Sequence, residues 1–266
     1  MTEIVRLALE EDIGPGDVTS LACISESQMA AGRFLAREPL VIAGLGLLAE
    51  IYQSPVTLLK RDGDSCAADE TIAAIRAPAR MLLERERVAL NFLQRLSGVA
   101  TAARRFADAV AGTRCRVLDT RKTTPGLRAL EKLAAAAGGV TNHRMGLFDA
   151  VLIKNNHIAA AGGVRNAMER ARSASTLDIE IEVRTREELR EALDAGATHL
   201  LLDNLTPAEA AGWIGEIAGR ARVELSGGIT LENVRAYAET GADFVSSGAI
   251  THSARAMDIS FRLELA

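Results

Sequence analysis

Apolar residues recur along this chain with two different periods, and the change of period divides it. Between 81 and 110, Val88, Phe92, Leu96, Val99, Ala103 and Phe106 follow one another at helical steps, which predicts one long helix with a single apolar stripe. Beyond it the pattern alternates. Short apolar runs at 115–119, 150–153, 179–183, 199–203, 223–225 and 244–246 read as strands. Amphipathic stretches such as 185–195 and 206–218 lie between them and read as helices. This is the rhythm of repeated βα units, with a parallel sheet covered by helices. Six such units without a Gly-rich dinucleotide fingerprint favour a barrel over an open Rossmann sheet. Whether the sheet closes is not set by the pattern.

Residues 1–80 predict a mixed α and β region. A short helix precedes the turn Gly14-Pro15-Gly16-Asp17, and a strand-like run, Leu40-Val41-Ile42-Ala43, ends at Gly44. Asp62-Gly63-Asp64 predicts a hairpin turn.

One strand is unusual. In Ile179-Glu180-Ile181-Glu182-Val183, alternation puts both carboxylates on one face and the aliphatics on the other. In a barrel the aliphatics meet the outer helices and the carboxylates point inward. That is an expensive place for charge unless it is paired or binds a ligand.

Composition sharpens the picture. The 266 residues are 48% hydrophobic but only 3% aromatic, so an aliphatic core of α/β type is expected. A net charge of −4 argues against a nucleic-acid or membrane-surface partner. No apolar run is long enough to predict a membrane span. Cys23, Cys66 and Cys115 form no metal-binding spacing and fit a reducing compartment. The opening residues turn acidic at Glu10, Glu11 and Asp12, unlike a secretion signal. A cytoplasmic protein is expected.

Polar residues gather where each predicted strand ends. The first strand leads into Asp119, Thr120, Arg121 and Lys122, and the second into Lys154, Asn155, Asn156 and His157. The third ends at Glu182 and the fourth at Asp203 and Asn204. The last two run into Ser226-Gly227-Gly228 and Ser247-Gly248-Ala249. Barrels of this kind carry their active sites at that end. Two glycine loops on the last strands suit a phosphate, because glycine lets backbone amides approach an anion and a helix start favours negative charge. His252 follows the second loop. Arg121, Lys122, Arg144 and Lys154 gather cations in an acidic chain, which predicts a ligand with several negative charges. Glu182 and Asp203 are read as balancing groups that hold sugar hydroxyls or reach a Mg²⁺ arriving with a diphosphate. For Glu182 the competing reading is a buried ion pair.

Along almost its whole length the chain resembles the quinolinate phosphoribosyltransferases. The opening run from Leu9 to Thr19 and the helix motif from Glu86 to Gly98 fit that family. The most specific stretch is Asp119-Thr120-Arg121-Lys122-Thr123-Thr124-Pro125-Gly126. It is followed by Asn142-His143-Arg144-Met145-Gly146-Leu147, Lys154-Asn155-Asn156-His157 and the two late glycine loops. The resemblance implies an α/β fold, with an N-terminal α/β sandwich over 1–89, packed by the tail 254–266, and an open, irregular α/β barrel over 90–253. It implies transfer of phosphoribosyl from phosphoribosyl diphosphate to quinolinate with loss of CO2, giving nicotinate mononucleotide for NAD synthesis. Mg²⁺ accompanies the diphosphate, and no organic cofactor is needed.

The resemblance further implies that Arg121, Arg144 and His143 hold the quinolinate carboxylates. Arg87 reaches across a homodimer to the same end. Lys122 and Lys154 lie between the substrates, with Thr120 beside them, and Glu182 and Asp203 face ribose and metal. Ser226, Gly227, Gly228, Ser247, Gly248, Ala249 and His252 take the 5′-phosphate. Two departures stand out: Val140 where the family has a third glycine after Gly138-Gly139, and Asn155 where an acidic residue is usual. Alternative readings are a molybdenum-associated relative of the same family, a Schiff-base aldolase using Lys154, and a non-enzymatic assembly protein.

Overall fold

The computed structural model describes residues 2–265 and divides the chain into two compact units. The first comprises the residues up to Arg104, Thr124–Gly139 and those from Ser253 onward; the second comprises Arg105–Thr123 and Val140–His252. The expected boundary at 89/90 falls inside the helix Ala79–Ala109, so the first unit keeps most of that helix as well as the C-terminal tail.

In the first unit, β1 (Met29–Ala36), β2 (Leu40–Val41), β3 (Thr57–Leu58), β4 (Ser65–Cys66) and β5 (Thr71–Pro78) form two antiparallel sheets. The larger has the order β12-β1-β5-β3, where β12 is the C-terminal strand Ile259–Leu265. The first helix, Glu3–Ile13, stops at Gly14, whose φ of 52° a side chain would resist. Asp17 then caps the helix Val18–Cys23 by accepting from the amides of Thr19 and Ser20. The turn expected at Asp62-Gly63-Asp64 forms, with the Asp64 amide bonded to the Arg61 carbonyl. It does not make a hairpin: β4 pairs with β2 and β3 with β5, because each short strand finds its partner elsewhere in the sheet edges.

The long helix spans Ala79–Ala109, and every member of the predicted stripe, from Val88 to Phe106, is buried. Gly98 in it lies so close to the Arg255 carbonyl that an added Cβ would fall inside van der Waals contact. Arg95, one turn earlier, is bonded to Glu131, which also accepts from the Thr124 amide.

The second unit carries one parallel sheet of β6 (Arg116–Leu118), β7 (Val151–Ile153), β8 (Ile179–Val183), β9 (His199–Asp203), β10 (Arg222–Ser226) and β11 (Phe244–Ser246). Its order is β6-β11-β10-β9-β8-β7. All six predicted strands are present, with ends within a few residues of those expected. Helices return between them. Thr185 caps Arg186–Asp194, and Thr206 with Glu209 makes a reciprocal cap before Pro207–Ile217. Leu200, Leu202, Val223, Leu225, Ile181, Val183 and Val245 form the buried aliphatic face. The alternating positions turn the other way and carry Glu180, Glu182, His199, Asp203, Glu224 and Ser226.

The barrel is open. β6 and β7 are the two edges of the sheet, and the segment at 140–143 runs beside β6 instead. There Thr141 bridges to Leu118, its amide meets the Val117 carbonyl at 2.9 Å, and the Asp119 amide returns to Thr141 at 3.2 Å. Val140 fits this path. The positive φ falls on Gly139, at 104°, while Val140 is buried without one, so the missing third glycine costs nothing.

Substituting Gly98→Ala should destabilise the protein by about 2 kcal/mol, because a methyl group must displace the Arg255 backbone rather than a side chain. Urea unfolding followed by circular dichroism would measure this; an unchanged midpoint would contradict the close approach.

Candidate active site

The carboxyl ends of the strands bring together most of the residues that the sequence singled out. Directly after β6, Asp119 is fully buried and its Oδ1 accepts the His143 amide at 2.7 Å. That bond ties the Arg121-Lys122 stretch to the His143-Arg144 stretch across the gap in the sheet. Thr120 turns its hydroxyl back to accept the Lys122 amide at 3.0 Å, which shapes the bend that exposes Lys122. Arg121 and Arg144 are each half-buried. Burial, and then the neighbouring charge of Arg121, hold the Arg144 guanidinium below its ordinary proton affinity. Two close guanidiniums are poised for a ligand with two negative groups.

Arg144 is fixed from several sides. Its Nη1 donates to the Ala150 carbonyl at 3.1 Å, and its amide donates to His143 Nδ1 at 2.8 Å. The loop beyond it is held by Asp149, which accepts the Met145 and Gly146 amides. His143 itself turns Nε2 toward Glu180 Oε2 at 3.3 Å and Glu224 Oε2 at 3.4 Å. His199 Nε2 lies 3.3 Å from the other Glu180 oxygen. Both ring nitrogens of His143 therefore lie close to protein groups.

Burial pulls the His143 pKa down, but its bonds to Glu180 and Glu224 outweigh that and raise it to about 10. Burial and the adjacent Glu224 charge push Glu180 up to about 7. Burial opposes the charge of Glu224 too, yet His143 and Ser246 keep its carboxyl below the usual range. His199 is drawn down by burial and favours the neutral ring. Glu224 and His199 were missed by the motif reading. Their signal was present in the alternation of β10 and β9, which puts Glu224 on the face of Ser226 and His199 on the face of Asp203.

Glu182 is buried and accepts from Arg184, with Nη2 at 2.8 Å and Nε at 3.0 Å. The ion-pair reading of Glu182 thus holds in kind, with a partner two residues away rather than one of the four singled-out cations. Asp203 is half-buried, and its Oδ2 accepts from Asn204 Nδ2 at 2.7 Å. Asn204 adopts φ 58°, a conformation asparagine tolerates, and it occupies the space that a side chain at position 227 would need. Gly227 is thereby required by the group that orients Asp203.

The two glycine loops differ from expectation in one respect. The helix after the first, Val234–Ala238, begins well beyond Gly228, and the one after the second, Ala249–His252, has four residues. Neither supplies a substantial helix start, so an anion here meets loop backbone. Gly227 and Gly228 take φ of 93° and 60°. Ser247 is buried and donates its hydroxyl to the Ile229 carbonyl at 2.7 Å, which joins the two loops. Around Gly248 the chain is crowded: an added Cβ would lie 2.8 Å from Lys122 Cδ and 2.9 Å from His252 Cδ2. Thr251 Oγ1 donates to the Lys122 carbonyl at 2.8 Å. Lys122, Gly248 and His252 are thus one cluster.

Lys154 is exposed after β7, and its amide donates to His157 Nδ1 at 2.9 Å, so His157 caps its helix. Exposure denies Lys154 the apolar enclosure that a Schiff-base lysine uses. Asn155 simply begins that helix, Asn155–Ala161. Arg87 is exposed on the long helix of the first unit. Among the described residues, the group of three His/Cys/Asp/Glu side chains with metal-compatible spacing is His143, Glu180 and Glu224.

The model of the quinolinate phosphoribosyl transferase N-terminal domain matches residues 17–97, and that of the C-terminal domain matches residues 99–262. A Bacillus subtilis (strain 168) protein named probable nicotinate-nucleotide pyrophosphorylase (carboxylating) is 43% identical over 263 residues, covering 96% of this chain and 90% of that protein. The chloroplastic nicotinate-nucleotide pyrophosphorylase (carboxylating) of Arabidopsis thaliana is 39% identical, covering 98% and 82%. Among solved structures, NadC from Streptococcus pyogenes superposes with a TM-score of 0.95 at 36% identity, covering 99% of this chain and 96% of that one. The nicotinate-nucleotide pyrophosphorylase from Ehrlichia chaffeensis gives 0.94 at 37% identity, covering 98% of each chain.

Substituting Gly248→Ala should push Lys122 and His252 apart and weaken binding of a sugar phosphate by about tenfold, or ~1.4 kcal/mol. Calorimetric titration with ribose 5-phosphate would read this, and unchanged affinity would show that the cluster does not face the phosphate.

Proposed function

Because the chain belongs to the quinolinate phosphoribosyltransferase family, we infer that it transfers phosphoribosyl from phosphoribosyl diphosphate to quinolinate. Diphosphate and CO2 leave, and nicotinate mononucleotide remains for NAD biosynthesis. The observation that carries this reading at the site is the pairing of Arg121 with Arg144, two half-buried guanidiniums matched to the two carboxylates of quinolinate.

The chemistry asks for charge management more than for a nucleophile. Breaking the ribose C1–O bond builds positive charge on the sugar and negative charge on the departing diphosphate. Lys122 and Lys154, at the ends of β6 and β7, stabilise the anionic side; Glu182 and Asp203, at the ends of β8 and β9, lie toward the cationic sugar. Thr120 sets the bend that presents Lys122. Backbone of the Ser226-Gly227-Gly228 and Ser247-Gly248-Ala249 loops, with His252, takes the 5′-phosphate. Decarboxylation then leaves an electron pair at ring carbon 2, stabilised by the adjacent cationic ring nitrogen, and a proton taken up from water at that carbon completes nicotinate mononucleotide.

Carboxylate oxygens suit Mg²⁺, and Asp203 is held in a fixed orientation by Asn204, so the residues present fit a metal that comes with the diphosphate. Such an ion supplies neutralisation of the leaving group. Glu182 and Asp203 would hold the ion, Glu182 in place of its ion pair with the exposed Arg184. Position on an exposed helix surface also suits Arg87 to the carboxylate end of a second subunit's site in a homodimer. Among the described residues no helix is long and apolar enough to cross a membrane, in keeping with a cytoplasmic enzyme.

With quinolinate, phosphoribosyl diphosphate and Mg²⁺, the protein should form nicotinate mononucleotide and CO2, and Lys122→Ala should lower kcat/KM by about a hundredfold or more. Product from nicotinate but not from quinolinate would overturn the substrate assignment. Mixing inactive Arg87→Ala and Arg144→Ala variants should restore part of the activity, since some mixed dimers then carry one intact site. No recovery despite demonstrated subunit exchange would rule out a shared site.

A further inference from the structure

The residue after Asp203 adopts a backbone conformation that few side chains accept. Asn204 takes φ 58°, in the left-handed region, and its amide donates to the Ser226 carbonyl at 2.9 Å. The turn follows the last ladder pair of β9 and β10, Asp203 with Ser226, and carries the chain across the end of β10. From there the carboxamide meets two neighbours. Nδ2 donates to Asp203 Oδ2 at 2.7 Å. Oδ1 and Cγ lie over Gly227, where an added Cβ would fall inside van der Waals contact of both. The next residue is anchored too, because the Tyr237 hydroxyl donates to the Leu205 carbonyl at 3.0 Å. One side chain therefore touches the carboxylate at the end of β9 and the first glycine of the loop after β10. Resting on the reading that Asp203 faces the ribose and the Ser226-Gly227-Gly228 loop takes the 5′-phosphate, we propose that Asn204 is a positioning residue for phosphoribosyl diphosphate, keeping those two contacts in register on one substrate.

The physical reason is geometric. A carboxylate at a strand end turns about two side-chain bonds, and a donor fixed on one of its oxygens limits that rotation. Asn204 can be such a donor because its own backbone is held at Ser226 and, one residue on, by Tyr237. The phosphate loop is held separately at its far end. Asn233 Nδ2 donates to the Gly228 carbonyl at 2.9 Å, and Asn233 Oδ1 accepts the Thr230 amide at 2.8 Å. Asn204 supplies the matching tie at the start of the loop. A sugar phosphate bound by Asp203 at the hydroxyls and by the loop at the phosphate needs both at a fixed separation, and a small error in that separation is costly. Few residues could replace this one. A β-branched side chain resists the left-handed turn, alanine brings no donor, and aspartate sets a second negative charge beside Asp203. Gly227, at φ 93°, is the counterpart: any side chain there would have to displace the carboxamide.

The test uses the full chain with Asn204→Gly, which keeps the left-handed turn and removes the carboxamide. The phosphoribosyl diphosphate KM should rise by about tenfold while the quinolinate KM stays within about twofold. Calorimetric titration with ribose 5-phosphate, without metal or turnover, should show a similar loss of affinity, since that ligand spans both contacts. Gly227→Ala should give the same pattern, and the double variant should be no worse than the poorer single one, because both act on one carboxamide. Unchanged phosphoribosyl diphosphate KM or unchanged ribose 5-phosphate affinity in Asn204→Gly would overturn the proposal. So would a parallel rise in the KM of both substrates, which marks general loosening, or a double variant that shows the full product of the single losses. Should Asn204→Gly not fold, Asn204→Asp carries the same expectation: it accepts the turn but puts a carboxylate oxygen where Nδ2 donates. Absence of nicotinate mononucleotide with the wild-type protein would overturn the reading of the site and the proposal with it. Unaltered substrate constants in an active Asn204 variant overturn the proposal alone.

Discussion

Everything in the second unit depends on how it keeps charge inside a sheet. The strands present an aliphatic face to their helices, and alternation then forces the remaining positions inward. Those positions hold Glu180, Glu182 and Glu224, all buried. A lone ionised carboxylate in such a place costs several kcal/mol, so each needs a partner or a proton. Glu182 has Arg184, Glu224 has His143 and Ser246, and Glu180 shares His143 and His199. Glu180 also retains a proton more readily than an ordinary carboxyl, because burial and Glu224 both disfavour its charge. The interior is a polar layer whose parts compensate one another.

The open edge of the barrel has a matching purpose. Had β6 paired with β7, the segment from Val140 to Arg144 could not run beside β6. Instead the Thr141 bridge and the Asp119 carboxylate replace a missing strand pairing. That substitution places two basic stretches, Arg121-Lys122 and His143-Arg144, at the same end of the sheet. A closed ladder would have consumed the backbone groups that here hold the loop. Gly139 carries the left-handed turn that starts this path, which leaves Val140 free to extend and pack.

Much of this was legible in the sequence, for physical reasons that also explain what was not. The long helix declared itself through a stripe of six apolar residues, and the six strands through short aliphatic runs between amphipathic segments, because both patterns are local. The cations at the strand ends were visible for the same reason. Pairings between distant residues were not. Nothing local says that Asp119 takes the His143 amide, or that Ser247 turns its hydroxyl to Ile229 rather than outward. Glu224 and His199 lie inside strands, where motif reading stops looking, although their alternation with Ser226 and Asp203 placed them inward. The turn at Asp62-Gly63 was read correctly as a turn, but a turn residue pair does not choose which strands meet.

The buried anionic layer also bears on how the mouth of the barrel can hold its cations. Burial, and then the neighbouring charge of Arg121, disfavour the charge of Arg144. Empty of ligand, such a pair tends to splay apart or draw in water. The charges of Asp149 and Glu180 act in the opposite sense on Arg144 and offset part of that repulsion. Compensation from below lets the guanidiniums stay charged and oriented before a dianion arrives, and little reorganisation is then needed at binding. The same carboxylates would compete with the substrate if they met the guanidiniums directly. The imidazole of His143 stands between, with Nε2 3.3 Å from Glu180 and 3.4 Å from Glu224, and Nδ1 2.8 Å from the Arg144 amide. The field of Glu180 thus reaches the Arg144 guanidinium across an imidazole.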